Sequence, residues 1–77
     1  MDRKEEILHK FGQRLTILRK EKNLSVMELA SAAGLRSQQV MQIEDGKVNL
    51  LFTTILSLAR GLEISPDELL KSIDLGG

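Results

Sequence analysis

The sequence contains no cysteine and only one histidine, His9. Without cysteine the chain cannot form a disulfide or a thiolate metal site, which is compatible with a reducing compartment. A single imidazole cannot build a multi-histidine metal site. We therefore expect neither a metal ion nor another cofactor.

Long hydrophobic runs are also missing from the sequence. No apolar segment approaches the roughly 18–20 residues that a membrane-spanning helix needs. The first ten residues, MDRKEEILHK, mix both signs of charge and lack the apolar core of a signal peptide. These absences predict a cytoplasmic protein with no membrane partner.

The chain has no excess of either charge, with 11 basic and 11 acidic residues among 77. The positive charge is concentrated at the start, since residues 1–23 hold seven basic and four acidic groups. This length predicts one domain that buries a small core, so dimerisation would be a natural source of extra stability. Its size, its one histidine and the lack of a glycine-rich phosphate loop argue against an enzyme.

Apolar residues recur at spacings of three and four, which predicts helices, whereas period-two clusters of β-branched residues are missing. Five helices are expected, at about residues 2–22, 26–33, 37–44, 51–60 and from 65 onward. Ser25 with Glu28 forms a capping box, and Ser65, Pro66 and Glu68 give the same signal for the last helix. In the fourth helix the inward residues are expected to be Phe52, Ile55, Leu56 and Ala59, with Gly61 just past its end.

The second and third predicted helices are joined by the short segment Gly34-Leu35-Arg36. Two short helices with a glycine-containing turn are typical of the helix-turn-helix motif, in which the second helix enters the DNA major groove. Here that helix has one narrow apolar pair, Val40 and Ile43, and exposes amides on its other faces. Glutamine can read adenine and arginine can read guanine, so the pattern favours DNA recognition.

Over residues 11–70 the sequence resembles the Xre family, the lambda-repressor-like domains of the Cro and cI type. The matching segments are Phe11-Gly12, Leu15, Leu18-Arg19, Leu24-Ser25, Glu28-Leu29-Ala30, Ala33-Gly34-Leu35, Val40, Ile43-Glu44-Asp45-Gly46-Lys47, Leu56, Leu58-Ala59, Leu62, Ile64-Ser65-Pro66 and Leu69-Leu70. The resemblance implies an all-α, five-helix bundle over residues 11–73, with residues 1–10 extending the first helix and residues 74–77 fraying. It also implies a homodimeric regulator of transcription that binds a palindromic operator in double-stranded DNA.

The resemblance also implies roles for individual residues. The positions matched to base-reading residues are Arg36, Ser37, Gln38, Met41 and Gln42. Lys47 matches a phosphate-contacting position. Apart from the resemblance, the place of Arg14 on the first helix makes it a candidate for a flanking phosphate. Arg19 and Glu44 match a pair that forms an internal salt bridge.

Four features fit a second interpretation, in which the same fold binds a protein, as an antitoxin or adaptor would. Val26 and Asp45 stand where family members often carry groups that suit phosphate, and the net charge is zero. The run Leu50-Leu51 would be costly to expose in a loop.

We expect Leu50 and Leu51, extended by Ile73, to lie at a dimer contact.

Overall fold

A computed structural model of the chain describes residues 3–71, and within that range it forms helices joined by short loops, with no strand. The helices are α1 (Arg3–Glu21), α2 (Val26–Ala33), α3 (Ser37–Glu44), α4 (Phe52–Leu62) and α5 (Pro66–Leu70). The predicted all-α, five-helix architecture is therefore confirmed. Ile73 and residues 74–77, for which the sequence predicts a dimer contact and a frayed tail, lie outside the described residues.

The ends of α2 follow directly from its sequence. The Glu28 amide donates to Ser25 Oγ at 3.0 Å and the Ser25 amide donates to Glu28 Oε1 at 2.8 Å, which completes the predicted capping box. At the other end Gly34 takes a left-handed conformation with φ of 71°. This conformation suits glycine, so the chain reverses within one turn and leads into α3.

One core joins the five helices. Its central side chains are Leu15 of α1, Leu29 of α2, Val40 of α3, Leu58 of α4 and Leu69 of α5, all fully buried. Helix α2 packs against α3 and α4, while α1 packs against α3 and α5. In α3 the buried residues are Val40 and Ile43, the predicted inward pair, so the rest of this helix is available to solvent.

Two sequence predictions for α4 are wrong. Phe52 and Leu56 are 69% and 39% exposed, because the buried face is centred on Leu58, Ala59 and Leu62 instead. When Leu58, Ala59 and Leu62 face the core, Phe52 and Leu56 lie one turn apart and face solvent.

The predicted end of α4 at Gly61 is also wrong, because Gly61 lies inside the helix. A Cβ at Gly61 would lie 3.1 Å from Ala33 N, so the glycine lets α2 and α4 approach closely. The helix continues to Leu62 and ends at Glu63, which adopts the left-handed conformation with φ of 60°. Burial of Leu62 explains the two extra residues.

None of the helices within residues 3–71 combines the length and apolar character needed to cross a membrane.

Candidate nucleic-acid interface

The segment between α2 and α3 holds the two helices in a fixed relation. The Leu35 amide donates to the Ala30 carbonyl at 2.8 Å, and the Gly34 amide donates to Ser31. Leu35 is half-buried against the core. Helix α3 is thereby held by its Val40 and Ile43 side while its opposite side faces outward, the arrangement of a helix-turn-helix motif.

The outward side of α3 is polar. Arg36, Gln38, Gln39 and Gln42 line one shallow depression of about 310 Å³. Three of the five predicted base-reading residues are therefore brought together: Arg36, Gln38 and Gln42. Of the other two, Met41 is exposed elsewhere on the helix and Ser37 is half-buried at its start.

Gln39 is the residue of this depression that the sequence analysis missed. It is half-buried, yet it lines the same depression as Gln42, three residues later. Residues three apart are neighbours on a helix, so the spacing of Gln39 and Gln42 was the available signal. The surface thus offers three carboxamides and one guanidinium, each able to donate hydrogen bonds.

Arg36 is the N-cap residue of α3, in an extended conformation, and its side chain makes no capping hydrogen bond. Among residues 3–71 it has no ion-pair partner. Its guanidinium is therefore free to meet an external group at the edge of the polar depression.

The loop after α3 carries one further unpaired cation. Lys47 is exposed and, within the described part of the chain, makes no ion pair. Its amide donates to the Gln42 carbonyl at 3.1 Å, which fixes the backbone at Lys47 relative to α3. Asp45, two residues earlier, is also exposed and places a negative charge beside this lysine.

Arg14 has a different environment from Arg36 and Lys47. Its Nη2 donates to the Glu68 carbonyl and to Glu68 Oε2, both at 3.2 Å, and the side chain is only 20% exposed. Arg14 thus joins α1 to α5. Because Glu68 already holds its guanidinium, the geometry favours a structural role over the phosphate contact expected from the sequence.

Arg19 and Glu44 form a two-point ion pair between α1 and the end of α3. Arg19 Nε donates to Glu44 Oε2 at 2.7 Å, and Nη2 donates to Oε1 at 3.1 Å. Arg19 Nη1 also donates to the Leu24 carbonyl at 2.9 Å. The hydrogen bonds to Glu44 raise the pKa of Arg19 above its ordinary value, against the opposing effect of burial. The pair ties the last turn of α3 to the long first helix.

Near the start of α4 lies an exposed group of apolar side chains, here called the apolar patch: Leu51, Phe52 and Leu56. Leu51 is 68% exposed, close to the value for Phe52. Leu50 is half-buried and lines an adjoining apolar cleft of about 370 Å³. Of the predicted dimer-contact residues Leu50 and Leu51, only Leu51 is exposed, and Phe52, which the sequence analysis placed inward, is exposed beside it.

Comparisons with known proteins agree with this geometry. Residues 10–71 match a family described as a helix-turn-helix domain. The fold is similar to that of the restriction-modification controller protein C.AhdI from Aeromonas hydrophila, with 47% identity and a TM-score of 0.79, covering 80% of this chain and 94% of that one.

A second similar structure is an HTH_3 family transcriptional regulator from Vibrio cholerae, with 26% identity and a TM-score of 0.84. That match covers 88% of this chain but only 38% of the regulator, which is a longer protein. No curated protein matches the chain. Since the family match spans residues 10–71, the chain belongs to the helix-turn-helix domain family, in its Xre, lambda-repressor-like group.

Proposed function

We propose that the chain is a transcriptional regulator that binds double-stranded DNA with α3 in the major groove. The observation that carries this proposal is the polar depression on α3, where Arg36, Gln38 and Gln42 converge on the outward side of a firmly packed helix. Arg36 would hydrogen-bond to guanine, and the glutamines would hydrogen-bond to adenine. Ser37, at the start of α3, and Met41, on its outer side, would also contact bases.

Phosphate contacts would set the register of the protein on DNA without reading sequence. Lys47 is the best candidate, because it is exposed and makes no ion pair with residues 3–71. Arg14 is not included, because Glu68 engages it. With so few proposed phosphate contacts per subunit, the affinity should fall less steeply with salt than that of a strongly basic repressor.

The regulator is proposed to act as a homodimer. Leu51, Phe52 and Leu56 expose an apolar surface at one end of α4, and Leu50 lies beside it. Such a patch on a small domain is typical of an interface. A two-fold dimer would present two copies of α3 to DNA about 34–36 Å apart, so the operator should be a pseudo-palindrome.

Similarity to C.AhdI supports the narrower proposal that this chain controls restriction-modification genes.

The test is selection of the purified protein on a random-sequence duplex library at about 0.1 M salt. Enrichment of a palindrome supports the proposal, and the base preferences should change in Gln38→Ala. Gln13→Ala is the matched control, because Gln13 is an exposed glutamine on α1 outside the depression. Retention without an enriched sequence would contradict sequence-specific recognition.

A second candidate function is binding to another protein, favoured by the exposed apolar patch and by Asp45 beside Lys47. If a folded protein is not retained by any duplex, this second function replaces the first. Phe52→Gln would then be the first variant to test for loss of the protein partner.

A further inference from the structure

His9, on α1, lies directly against the loop that follows α3. A Cβ built on Gly46 would be 3.0 Å from His9 Nδ1 and 3.2 Å from its Cγ, so the imidazole ring covers this glycine. One turn later on α1, Gly12 packs against the carbonyls of Ile43 and Glu44. Helix α1 thus runs alongside the end of α3 and the loop, while His9 keeps one side exposed to solvent.

The first three residues of this loop have no amide to spare for a ligand. The amides of Asp45, Gly46 and Lys47 donate to the carbonyls of Met41, Ile43 and Gln42 at 3.0–3.1 Å. A phosphate group beside these three residues would therefore be bound by side chains. Asp45 and Lys47 carry opposite charges and nearly cancel, so the loop by itself attracts a phosphate only weakly.

We propose that His9 is a second cation for the DNA phosphate at this loop, acting beside Lys47 when its imidazole is protonated. The inference rests on the proposed DNA-binding function. Histidine is the side chain whose ordinary titration lies between pH 5 and 8, so the contact would make DNA affinity rise as pH falls. The chain has only this one histidine.

Charged groups of both signs surround His9. On its own helix, Glu5 and Glu6 lie one turn before it, and Glu6 pairs with Lys10 at 3.5 Å. From the loop, Asp45 and Lys47 flank Gly46 with one charge of each sign. A bound phosphate adds a negative charge on the solvent side, so DNA and the proton would each promote binding of the other.

The experiment is a salt series of DNA affinity at pH 6 and pH 8, read by fluorescence anisotropy of a labelled duplex. For the unmodified chain we expect affinity at pH 6 to exceed that at pH 8 by roughly two- to fivefold per protomer, which is the contribution expected from one exposed ion pair. The salt slope should also be steeper at pH 6 by about 0.9 per protomer.

Two variants separate charge from structure. His9→Gln should have the pH 8 slope at both pH values, and His9→Lys should have the steeper slope at both. Sedimentation at both pH values checks that the variants keep the same assembly state. Equal pH dependence in the unmodified chain and His9→Gln would overturn the inference.

The probe is used in two forms, the duplex enriched by selection and a random-sequence duplex. Because a phosphate contact does not depend on sequence, both should show the His9 effect. If the enriched duplex binds tightly but neither pH nor His9→Gln changes its salt slope, only the inference about His9 fails. If neither duplex binds at either pH, the proposed function fails and the inference falls with it.

Discussion

Arg19 and Glu44 connect α1 to the last turn of α3 through two hydrogen bonds of 2.7 and 3.1 Å. Their side chains are only 12% and 10% exposed, so solvent screens this pair weakly. Since α3 is held to the core by just Val40 and Ile43, the ion pair is a third attachment that fixes its orientation. The same contact therefore serves both folding and the placement of the polar depression.

Removing one partner of this pair should destabilise the protein strongly. We expect Glu44→Leu to lower the free energy of unfolding by about 3 kcal/mol, because it leaves the Arg19 charge poorly solvated. Chemical denaturation measures the loss. The double variant Arg19→Met with Glu44→Leu should recover much of it, since no unpaired charge remains. Additive losses in the double variant would show that the two residues act independently.

The pair should not make stability depend on pH in the neutral range. Glu44 raises the pKa of Arg19, so the arginine's contribution is fully present below its unfolded pKa and is lost only as pH rises through the higher folded value. Between pH 6 and pH 8 Arg19 stays charged. Denaturation curves of the Arg19→Met variant and the unmodified chain should therefore differ by the same free energy at both pH values.

Two glycines should respond very differently to alanine. A Cβ at Gly12 would meet backbone oxygens, with Ile43 O at 2.7 Å, whereas a Cβ at Gly61 would lie 3.1 Å from Ala33 N and Cβ. Gly12→Ala forces α1 and α3 apart and should cost about 3 kcal/mol. In Gly61→Ala the crowding is partly offset by the better helix propensity of alanine, so we expect a change within about 1 kcal/mol.

Chemical denaturation of both variants checks this ranking. A mild effect of Gly12→Ala would mean that α1 can shift away from α3 at little cost. The sign of the Gly61→Ala change reports whether Ala33 and its neighbours can move by a few tenths of an ångström.

Glu63 occupies a left-handed conformation that favours glycine, with φ of 60°. Glu63→Gly should therefore stabilise the protein by up to about 1 kcal/mol. For a domain of this size that is a rise in Tm of roughly 4–8 °C. Glu63→Gln is a matched control, because it removes the same charge but keeps a side chain in the left-handed conformation, so it should leave Tm nearly unchanged. A lower Tm in Glu63→Gly would show that its side chain contributes more than the backbone strain costs.

Most of the fold was predictable because its signals are local. The capping box at Ser25, the left-handed Gly34 and the inward pair Val40 and Ile43 depend on spacings of a few residues. The family resemblance also pointed to Arg19 with Glu44, a pair that lies 25 residues apart.

The sequence could not determine which side of α4 faces inward. Apolar residues occur on more than one side of this helix: Phe52, Ile55, Leu56 and Leu58. Periodicity alone therefore does not determine which side of the helix is buried. Its orientation is decided by the close approach of Gly61 to Ala33 on α2, a contact between distant segments. The partnership of Arg14 with Glu68 is equally non-local, and it changes the interpretation of that arginine.

The two kinds of DNA contact should separate in mutant binding data. Lys47→Gln should weaken binding to all duplexes alike and make the salt slope shallower by about 0.9 per protomer. Gln38→Ala should instead relax the preference at one base pair of each half-site, at a cost of roughly 1–3 kcal/mol. Anisotropy titrations on the selected operator and its single-base variants measure both. A base-specific loss in Lys47→Gln would contradict its assignment to phosphate.

Phe52→Gln tests the apolar patch as the dimer contact. Because Phe52 is 69% exposed, the substitution should leave the fold intact, unlike Leu58→Ala, which removes a fully buried side chain and should cost about 3 kcal/mol of stability. Loss of a central aromatic contact of about 2 kcal/mol would weaken dimerisation roughly 30-fold. Sedimentation equilibrium measures that change, and thermal unfolding at a concentration where both proteins are monomeric checks the fold.

A monomeric Phe52→Gln should then bind a single half-site as tightly as the unmodified subunit does, but lose the spacing preference of the palindrome. An unchanged dimer constant would move the interface away from the apolar patch.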